Sequence, residues 1–86
     1  MNTRYKLIKI YKGITHNYFK FKDINGKIIE ITHYKENNTY TVYEIFQASY
    51  NGKYFTEPLY INIRGKKNLL KKLFKYNMLL HDTNIL

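Results

Sequence analysis

The chain of 86 residues contains no cysteine and no tryptophan, and it has a single proline and a single serine. Without cysteine, neither a disulfide framework nor a thiolate metal site can form. The sequence also lacks a Gly-rich phosphate loop, a zinc-binding helix motif and clustered carboxylates, and its three histidines fall in separate predicted elements. We therefore expect a protein that is not an enzyme and that uses no metal and no cofactor.

Long apolar runs are missing as well. The first residues do not resemble a signal sequence, and no run approaches the ~18 apolar residues of a membrane span. We therefore expect a cytoplasmic protein with no membrane partner. Lys, Asn, Ile and Tyr, whose codons are rich in A and T, make up about half of the chain. This composition fits a gene of a low-GC bacterium, its phage or a plasmid, and hence a bacterial cell or a phage-infected host.

Acidic residues are scarce: six oppose 15 basic residues, which gives a formal net charge of +9. Residues 1–22 hold six basic residues and no acidic one, whereas residues 58–86 hold six basic residues and one acidic one. Such an excess on one small domain favours a polyanion as the partner. Codon bias is the competing explanation for the number of lysines, but it does not obviously explain where the charge is placed.

The pattern of the remaining residues predicts a small sheet and a helix. Asn25-Gly26 and Asn51-Gly52 each separate runs rich in Ile, Val, Tyr, Phe and Thr, a pattern typical of hairpins with type I′ turns. After Gly65 the apolar period becomes that of an amphipathic helix. We predict one α+β domain over 1–86, an antiparallel four- to five-stranded β-meander with one C-terminal amphipathic helix packed on the sheet. The elements are expected at about 4–12, 16–24, 27–35, 39–50 and 53–64 for the strands and 66–81 for the helix. Gly13 and the polar segment 36–38 are expected to provide turns between strands.

Basic and aromatic residues alternate with apolar ones along the predicted strands. Tyr18, Lys20 and Lys22 share one face, and Tyr60 and Arg64 are predicted to lie beside them because Leu59, Ile61 and Ile63 take the opposite face. Lys53 and Tyr54, just after a hairpin tip, extend this face, whereas the faces of 39–48 stay ambiguous. Lysines that track phosphates and rings that stack on bases hold single-stranded nucleic acid. The competing interpretation is that the tyrosines fill core edges and the lysines are solvated.

The predicted helix begins with positive charge, since Arg64, Lys66 and Lys67 surround its first turn. The N–H groups there already carry partial positive charge, so lysines cost stability unless an anion binds. One hypothesis is that 64–67 contacts a phosphate. The other is a frayed, solvated helix start that tolerates lysine at a cost of a few tenths of a kcal/mol.

Met78 and Leu79 fall outside the apolar stripe of the predicted helix and indicate a second contact, such as a partner subunit. The stretch 43–74, "YEIFQASYNGKYFTEPLYINIRGKKNLLKKLF", resembles the end of the single-stranded-DNA-binding domain of the positive cofactor four family of transcriptional coactivators. Glu57-Pro58 and "LYINI" fall where that family has a polar turn and its last strand, and the resemblance extends over roughly 24–80. It departs from the family in lacking a Gly before this strand and in opening the helix with Lys66-Lys67-Asn68.

The resemblance implies a homodimer whose sheets grip single strands while the helices pair the subunits. This arrangement would make Met78 and Leu79 a dimer contact. It also implies that Lys20, Lys22, Tyr43 and Lys53 lie near the nucleic acid.

Two functions from different classes fit these observations. The first is a non-catalytic nucleic-acid-binding protein that prefers single-stranded DNA or RNA. The second is a small inhibitor of the anti-defence type, from a phage or mobile element, that binds a protein or ribonucleoprotein target. Its basic face would bind an acidic surface of the target protein or the guide RNA of a nuclease. Binding to bare oligonucleotide that weakens with salt would separate them, because the inhibitor needs its protein target.

Overall fold

A six-stranded sheet and one α-helix form the part of the chain that the computed structural model describes, residues 3–47, 54–81 and 83–86. The elements are β1 (Thr3–Lys12), β2 (His16–Lys22), β3 (Ile28–Tyr34), β4 (Thr39–Gln47), β5 (Tyr54–Arg64), α1 (Lys66–Lys75), β6 (Met78–Leu80) and a 3-10 turn (Thr83–Ile85). The strand order is β5-β4-β3-β2-β1-β6, antiparallel from β1 to β5 and parallel between β1 and β6. The sheet curls into a half-barrel.

The predicted α+β class is confirmed, but the strand count and the purely antiparallel sheet are wrong. Both errors have one cause: the helix ends at Lys75 rather than at 81. Asn77 has a φ of 63° and donates its N–H to the Phe74 carbonyl at 2.9 Å. A left-handed asparagine just after a helix closes its last turn and redirects the chain. The next three residues then form β6 alongside the start of β1.

The core lies on one face of the sheet, the inner face, under α1. Alternate side chains of the strands point to this face, and they are buried together with two leucines of the helix: Tyr5, Phe19, Phe21, Ile29, Ile31, Tyr40, Val42, Ile63, Leu69 and Leu73. The helix contacts both β5 and β6, which are the two edges of the sheet. Because α1 spans the half-barrel from edge to edge on this side, it does not cover the opposite face of the sheet.

The predicted hairpin at Asn25-Gly26 is present, but its turn type differs from the prediction. Gly26 has a φ of 86° and donates its N–H to the Asp23 carbonyl at 3.2 Å, whereas Asn25 stays outside the positive-φ region. This is a type I turn followed by a left-handed glycine, rather than type I′. The Asp23 carboxylate explains the choice, since it accepts the N–H groups of Asn25 and Lys27 at 2.9 and 2.8 Å. Asn51-Gly52 lies outside the described residues.

Two bulges in β5 alter which of its side chains face inward. Tyr40 pairs with Ile63 and Val42 with Tyr60, so two β5 residues lie opposite the single residue between them. Asn62, with a φ of 55°, is one of that pair. A second extra residue lies between Tyr60 and Pro58. A bulge shifts the alternation of faces by one residue.

The alternation predicted for 59–64 is therefore wrong in its middle. Tyr60 pairs with the inward-facing Val42, while Ile61 is 62% exposed. The ambiguous faces of β4 are also resolved, because Tyr40 and Val42 are core residues and Tyr43 therefore points to the opposite face.

Two adjacent helix residues test the packing of α1. Leu73 is buried and Phe74 is 60% exposed. We expect Leu73→Ala to lower the free energy of unfolding by about 2–5 kcal/mol. Phe74→Ala should lower it by about 0.5 kcal/mol or less. Urea unfolding followed by tyrosine fluorescence measures both, and equal decreases would contradict the assigned helix orientation.

Candidate nucleic-acid interface

The face of the sheet opposite α1, here called the outer face, aligns its side chains in four rows. Strand register places neighbours of a row on adjacent strands, about 4.8 Å apart. The rows are Lys6, Lys22, Ile28, Ile45 and Thr56; Lys9, Lys20, Glu30, Tyr43 and Pro58; Tyr11, Tyr18, Thr32 and Thr41; and His16, Tyr34, Thr39 and Arg64.

Two of these rows begin with lysines that face one another. Lys6 lies opposite Lys22, and Lys9 lies opposite Lys20. Lys6 and Lys9 are three positions apart and would normally point to opposite faces. The irregularity in β1 at Ile8 restores Lys9 to the face of Lys6. Like charges directly opposite in an antiparallel pair are unfavourable, so this arrangement costs stability in the free protein.

Little acidic charge offsets these lysines. Glu30 follows Lys20 in its row, and burial raises the pKa of the Glu30 carboxyl while the charge of Lys9 opposes that shift. In the described part of the chain, the ion pair at salt-bridge distance is Lys27 Nζ to Glu44 Oε1, at 2.7 Å. Glu44 belongs to the inner-face set of β4, so that pair does not neutralise the outer face.

Tyrosines continue the outer face beyond the lysines. Tyr11 lies directly opposite Tyr18 and is 59% exposed. Tyr34 is also exposed, and its ring centroid lies 6.1 Å from that of His16. Exposed rings beside lysines provide stacking surfaces and phosphate contacts within one surface.

A groove of about 660 Å³ occupies the end of the outer face nearest β5. Its floor is made by β4, and its sides come from two loops and from the bulged part of β5. The lining residues are Ile14, Thr15, Tyr34, Lys35, Glu36, Asn37, Thr39, Thr41, Tyr43, Pro58, Ile61 and Asn62.

The predicted site residues divide among several surfaces. The outer face contains Tyr18, Lys20, Lys22, Tyr43 and Arg64. Lys53 lies outside the described residues, and Tyr54 is described only through its backbone in β5.

Tyr60 lies on the helix side instead of on the predicted face. Its ring centroid is 5.4 Å from that of Tyr76 and 5.8 Å from Lys72 Nζ. Burial, followed by hydrogen bonding to Tyr76, raises the pKa of Tyr60 to about 12. The bulge at Ile61 and Asn62 causes this displacement, because it shifts the alternation by one residue between Ile63 and Tyr60.

The helix start has the charge pattern that the sequence indicated. Gly65 is the N-cap residue with a φ of 81°, no side chain caps the helix, and the first turn contains no acidic residue. Lys66 and Lys67 therefore meet the positive end of the helix dipole without compensation. A phosphate contact at 64–67 stays a prediction.

Met78 and Leu79 lie in β6, where they pair with Thr3 and Arg4. This pairing explains why they depart from the helical stripe without requiring a second subunit. The dimer contact stays a prediction.

Sequence reasoning did not select Lys6, Lys9, Tyr11 or Tyr34 as site residues. Lys6, Lys9 and Tyr11 lie in a segment correctly predicted as a strand. Their basic and aromatic side chains are the sequence feature that could have identified them as site residues. The bulge at Ile8 hides their common face from a simple alternation of residues. Tyr34 can be assigned to the site only once the pairing of β3 with β4 is known, because this pairing places it beside Thr39 on the outer face.

None of the helices in the described part of the chain is long and apolar enough to cross a membrane. The described residues also contain no group of three or more His, Asp or Glu side chains positioned to hold a metal ion. No protein-family model matches the chain, and no curated protein and no solved structure is significantly similar to it. The resemblance to the positive cofactor four family therefore stays a prediction.

Charge reversal at the two ends of α1 tests the helix electrostatics. We expect Lys67→Glu to raise the free energy of unfolding by about 0.3–1 kcal/mol, because it places negative charge in the first turn. Lys75→Glu, in the last turn, should lower it by a similar amount. Urea denaturation measures both variants. Since both variants change net charge equally, shifts of the same sign would mean that overall charge, and not the helix dipole, governs stability.

Glu30 predicts a pH dependence of stability. The pKa of the Glu30 carboxyl is raised in the folded protein. The protonated carboxyl therefore stabilises the fold fully below the ordinary pKa of glutamate, and this contribution is lost as the pH rises through the raised pKa of the folded state. Glu30→Gln removes this pH-dependent decrease. The free energy of unfolding of the variant, relative to the parent, should therefore increase between about pH 4 and pH 7. A constant difference across urea titrations at several pH values would contradict the assigned environment of Glu30.

Proposed function

We propose that this protein is a non-catalytic nucleic-acid-binding protein that holds single-stranded DNA or RNA along its outer face. The observation that supports this most strongly is that two pairs of lysines, Lys6–Lys22 and Lys9–Lys20, face each other across β1 and β2 beside the exposed ring of Tyr11. Unlike a scattered set of surface lysines, these side chains are held close together by strand register.

Phosphate binding reverses the energetic cost of this arrangement. Facing ammonium groups repel one another in the free protein, and a phosphate between them is attracted to both. Each phosphate that is neutralised also releases counterions, so the affinity should fall as salt is added. The lysine pairs thus supply the sequence-independent part of binding.

The preference for single strands follows from the tyrosines and from the position of the helix. Tyr11 and Tyr18 present rings from a sheet, and such rings stack on bases only when the bases are not already stacked in a duplex. Reading a duplex commonly requires a helix in the major groove. In the part of the chain that is described, α1 is the only α-helix, and it buries Leu69 and Leu73 in the core. That face of the helix is therefore not free to enter a groove of a duplex.

The proposed contacts combine predicted residues with those found by register. Phosphate contacts are assigned to Lys6, Lys9, Lys20, Lys22 and Arg64, with Lys66 and Lys67 as an extension beyond Arg64. Stacking is assigned to Tyr11, Tyr18 and Tyr43, and Lys53 and Tyr54 stay part of the proposal on the sequence pattern alone. Cytoplasmic action in a bacterial cell or a phage-infected host, as a monomer or a homodimer, completes the proposal.

Fluorescence anisotropy with labelled single-stranded and duplex oligonucleotides of about 20 nucleotides tests the proposal. We expect tighter binding to the single strand, and weaker binding at about 200 mM than at about 50 mM salt. The double variant Lys9→Glu with Lys20→Glu should flatten the dependence of log affinity on log salt by about 0.7 for each phosphate that it no longer neutralises.

The double variant Lys71→Glu with Lys75→Glu is the matched control, because it makes the same change in net charge on the helix. Binding that is abolished only in the helix variant would overturn the assignment to the outer face. Absence of binding to any oligonucleotide would overturn the proposed function.

One observation favours the second candidate, an inhibitor that binds a protein. A groove of about 490 Å³ lies between α1 and β6, and it is lined by Lys67, Leu70, Lys71, Phe74, Met78, Leu79, Leu80 and Thr83. Its apolar lining and the two lysines fit a partner segment that carries apolar and acidic side chains. This candidate takes precedence if the titration detects no oligonucleotide binding.

A further inference from the structure

The groove on the outer face has a polar floor that the surrounding chain covers closely. Thr39 and Thr41 point to the outer face, yet they are only 6% and 3% exposed. They are covered because the neighbouring loops and the bulged strand rise on both sides of β4. The volume of about 660 Å³ lies within the range of about 300–1,000 Å³ typical of small-molecule sites.

One side of the groove is held in place by hydrogen bonds between two loops. The N–H of Lys35 donates to the Thr15 carbonyl at 3.1 Å, and the Lys35 ammonium donates to the Gly13 carbonyl at 2.6 Å. The Thr39 hydroxyl donates to Asn37 Oδ1 at 2.7 Å. These bonds join the β1–β2 turn, the β3–β4 turn and the floor, so this side is formed before any ligand arrives.

The bulge in β5 builds the other side. It turns Ile61 away from the core, leaving it 62% exposed, and places Asn62 in the left-handed region with a φ of 55°. Ile14, on the opposite side, is 96% exposed. Two exposed isoleucines thus flank a polar floor, and both form part of the groove lining.

The lining fits a planar ring with polar edges better than it fits a phosphate. The rings of Tyr34 and Tyr43 contribute aromatic surface, while the side chains of Asn37 and Asn62 contribute amide groups. Lys35 and Glu36 carry charges of opposite sign, so together they add no net charge to the lining. The Lys35 ammonium also already donates to a backbone carbonyl. A nucleobase carries no charge and offers both stacking faces and hydrogen-bonding edges.

We propose that this groove binds one unstacked nucleobase of the strand held on the outer face, an inference that rests on the proposed function. Tyr43 connects the two sites, since it lines the groove and lies in the same row as Lys9 and Lys20. From β4 to β2 is two strand spacings, or about 10 Å. One strand can therefore place a base in the groove and its neighbouring phosphates on the lysines.

Two oligonucleotides of about ten nucleotides separate the groove from the lysine rows. One is oligothymidylate and the other has the same backbone with every base removed. We expect Tyr34→Ala to weaken oligothymidylate binding by about 5- to 150-fold and to leave binding of the abasic strand unchanged. Tyr76→Ala, which removes an exposed tyrosine ring on the helix side, should change neither.

Equal binding of the two strands by the parent protein would overturn the groove proposal, while salt-sensitive binding of both would leave the phosphate contacts in place. Absence of binding to both strands would overturn the proposed function together with the groove.

NMR titration with thymidine, which carries no phosphate, locates the base independently of the strand. Amide shifts are expected at Thr39, Thr41 and Asn62, and Ile61→Ala should reduce them. Ile24→Ala, at the exposed β2–β3 turn, is the matched control and should not. Shifts at Tyr11 and Tyr18 without shifts in the groove, or no shifts at all, would overturn the assignment.

Discussion

The packing of α1 against the inner face of the sheet is the constraint on which the rest of the structure depends. A chain of this length buries only about 60–65% of its unfolded surface, so one well-packed face has to supply most of the stability. Leu69 and Leu73 complete a core that draws residues from β1 to β5. Because the helix also contacts both edge strands on this side, the outer face is the broad surface of the described sheet that α1 leaves open to a partner.

Features decided by local sequence were predictable. Phe19 and Phe21 alternate with polar residues in β2, and both are core residues. The helix begins at Lys66 as the change of period after Gly65 indicated. Its end was missed because Leu80 continues the apolar stripe of the predicted helix, while Met78 and Leu79, which fall outside the stripe, suit a strand. Asn77 decides between them through its left-handed backbone, and β6 also requires β1 as a distant pairing partner.

The candidate site was predictable only in part, because bulges depend on the pairing of strands and not on one strand alone. Tyr18, Lys20 and Lys22 lie in a regular strand and share the predicted face. Tyr60 was misplaced because one extra residue of β5 lies between it and Ile63, while the sequence alternation continues regularly through this bulge. The groove was beyond sequence reasoning for a related cause. It brings together residues from the β1–β2 turn, the β3–β4 turn, β4 and β5.

The two basic surfaces of the protein, α1 and the outer face, differ in how far neighbouring groups of the protein stabilise their positive charge. Lys72 and Lys75 lie in the last turn of α1, where positive charge stabilises the helix, and Lys72 also lies over the ring of Tyr60. At the facing lysine pairs of the outer face, Glu30 is the acidic neighbour within their two rows, so the four lysines are compensated only in part and still repel one another. The bulge at Ile8 even places Lys9 on the face of Lys6, where it adds to the repulsion. A ligand that bound there through anionic groups would supply the rest of the compensation, and this is why the outer face, rather than the more lysine-rich helix, is the better candidate for a nucleic-acid surface.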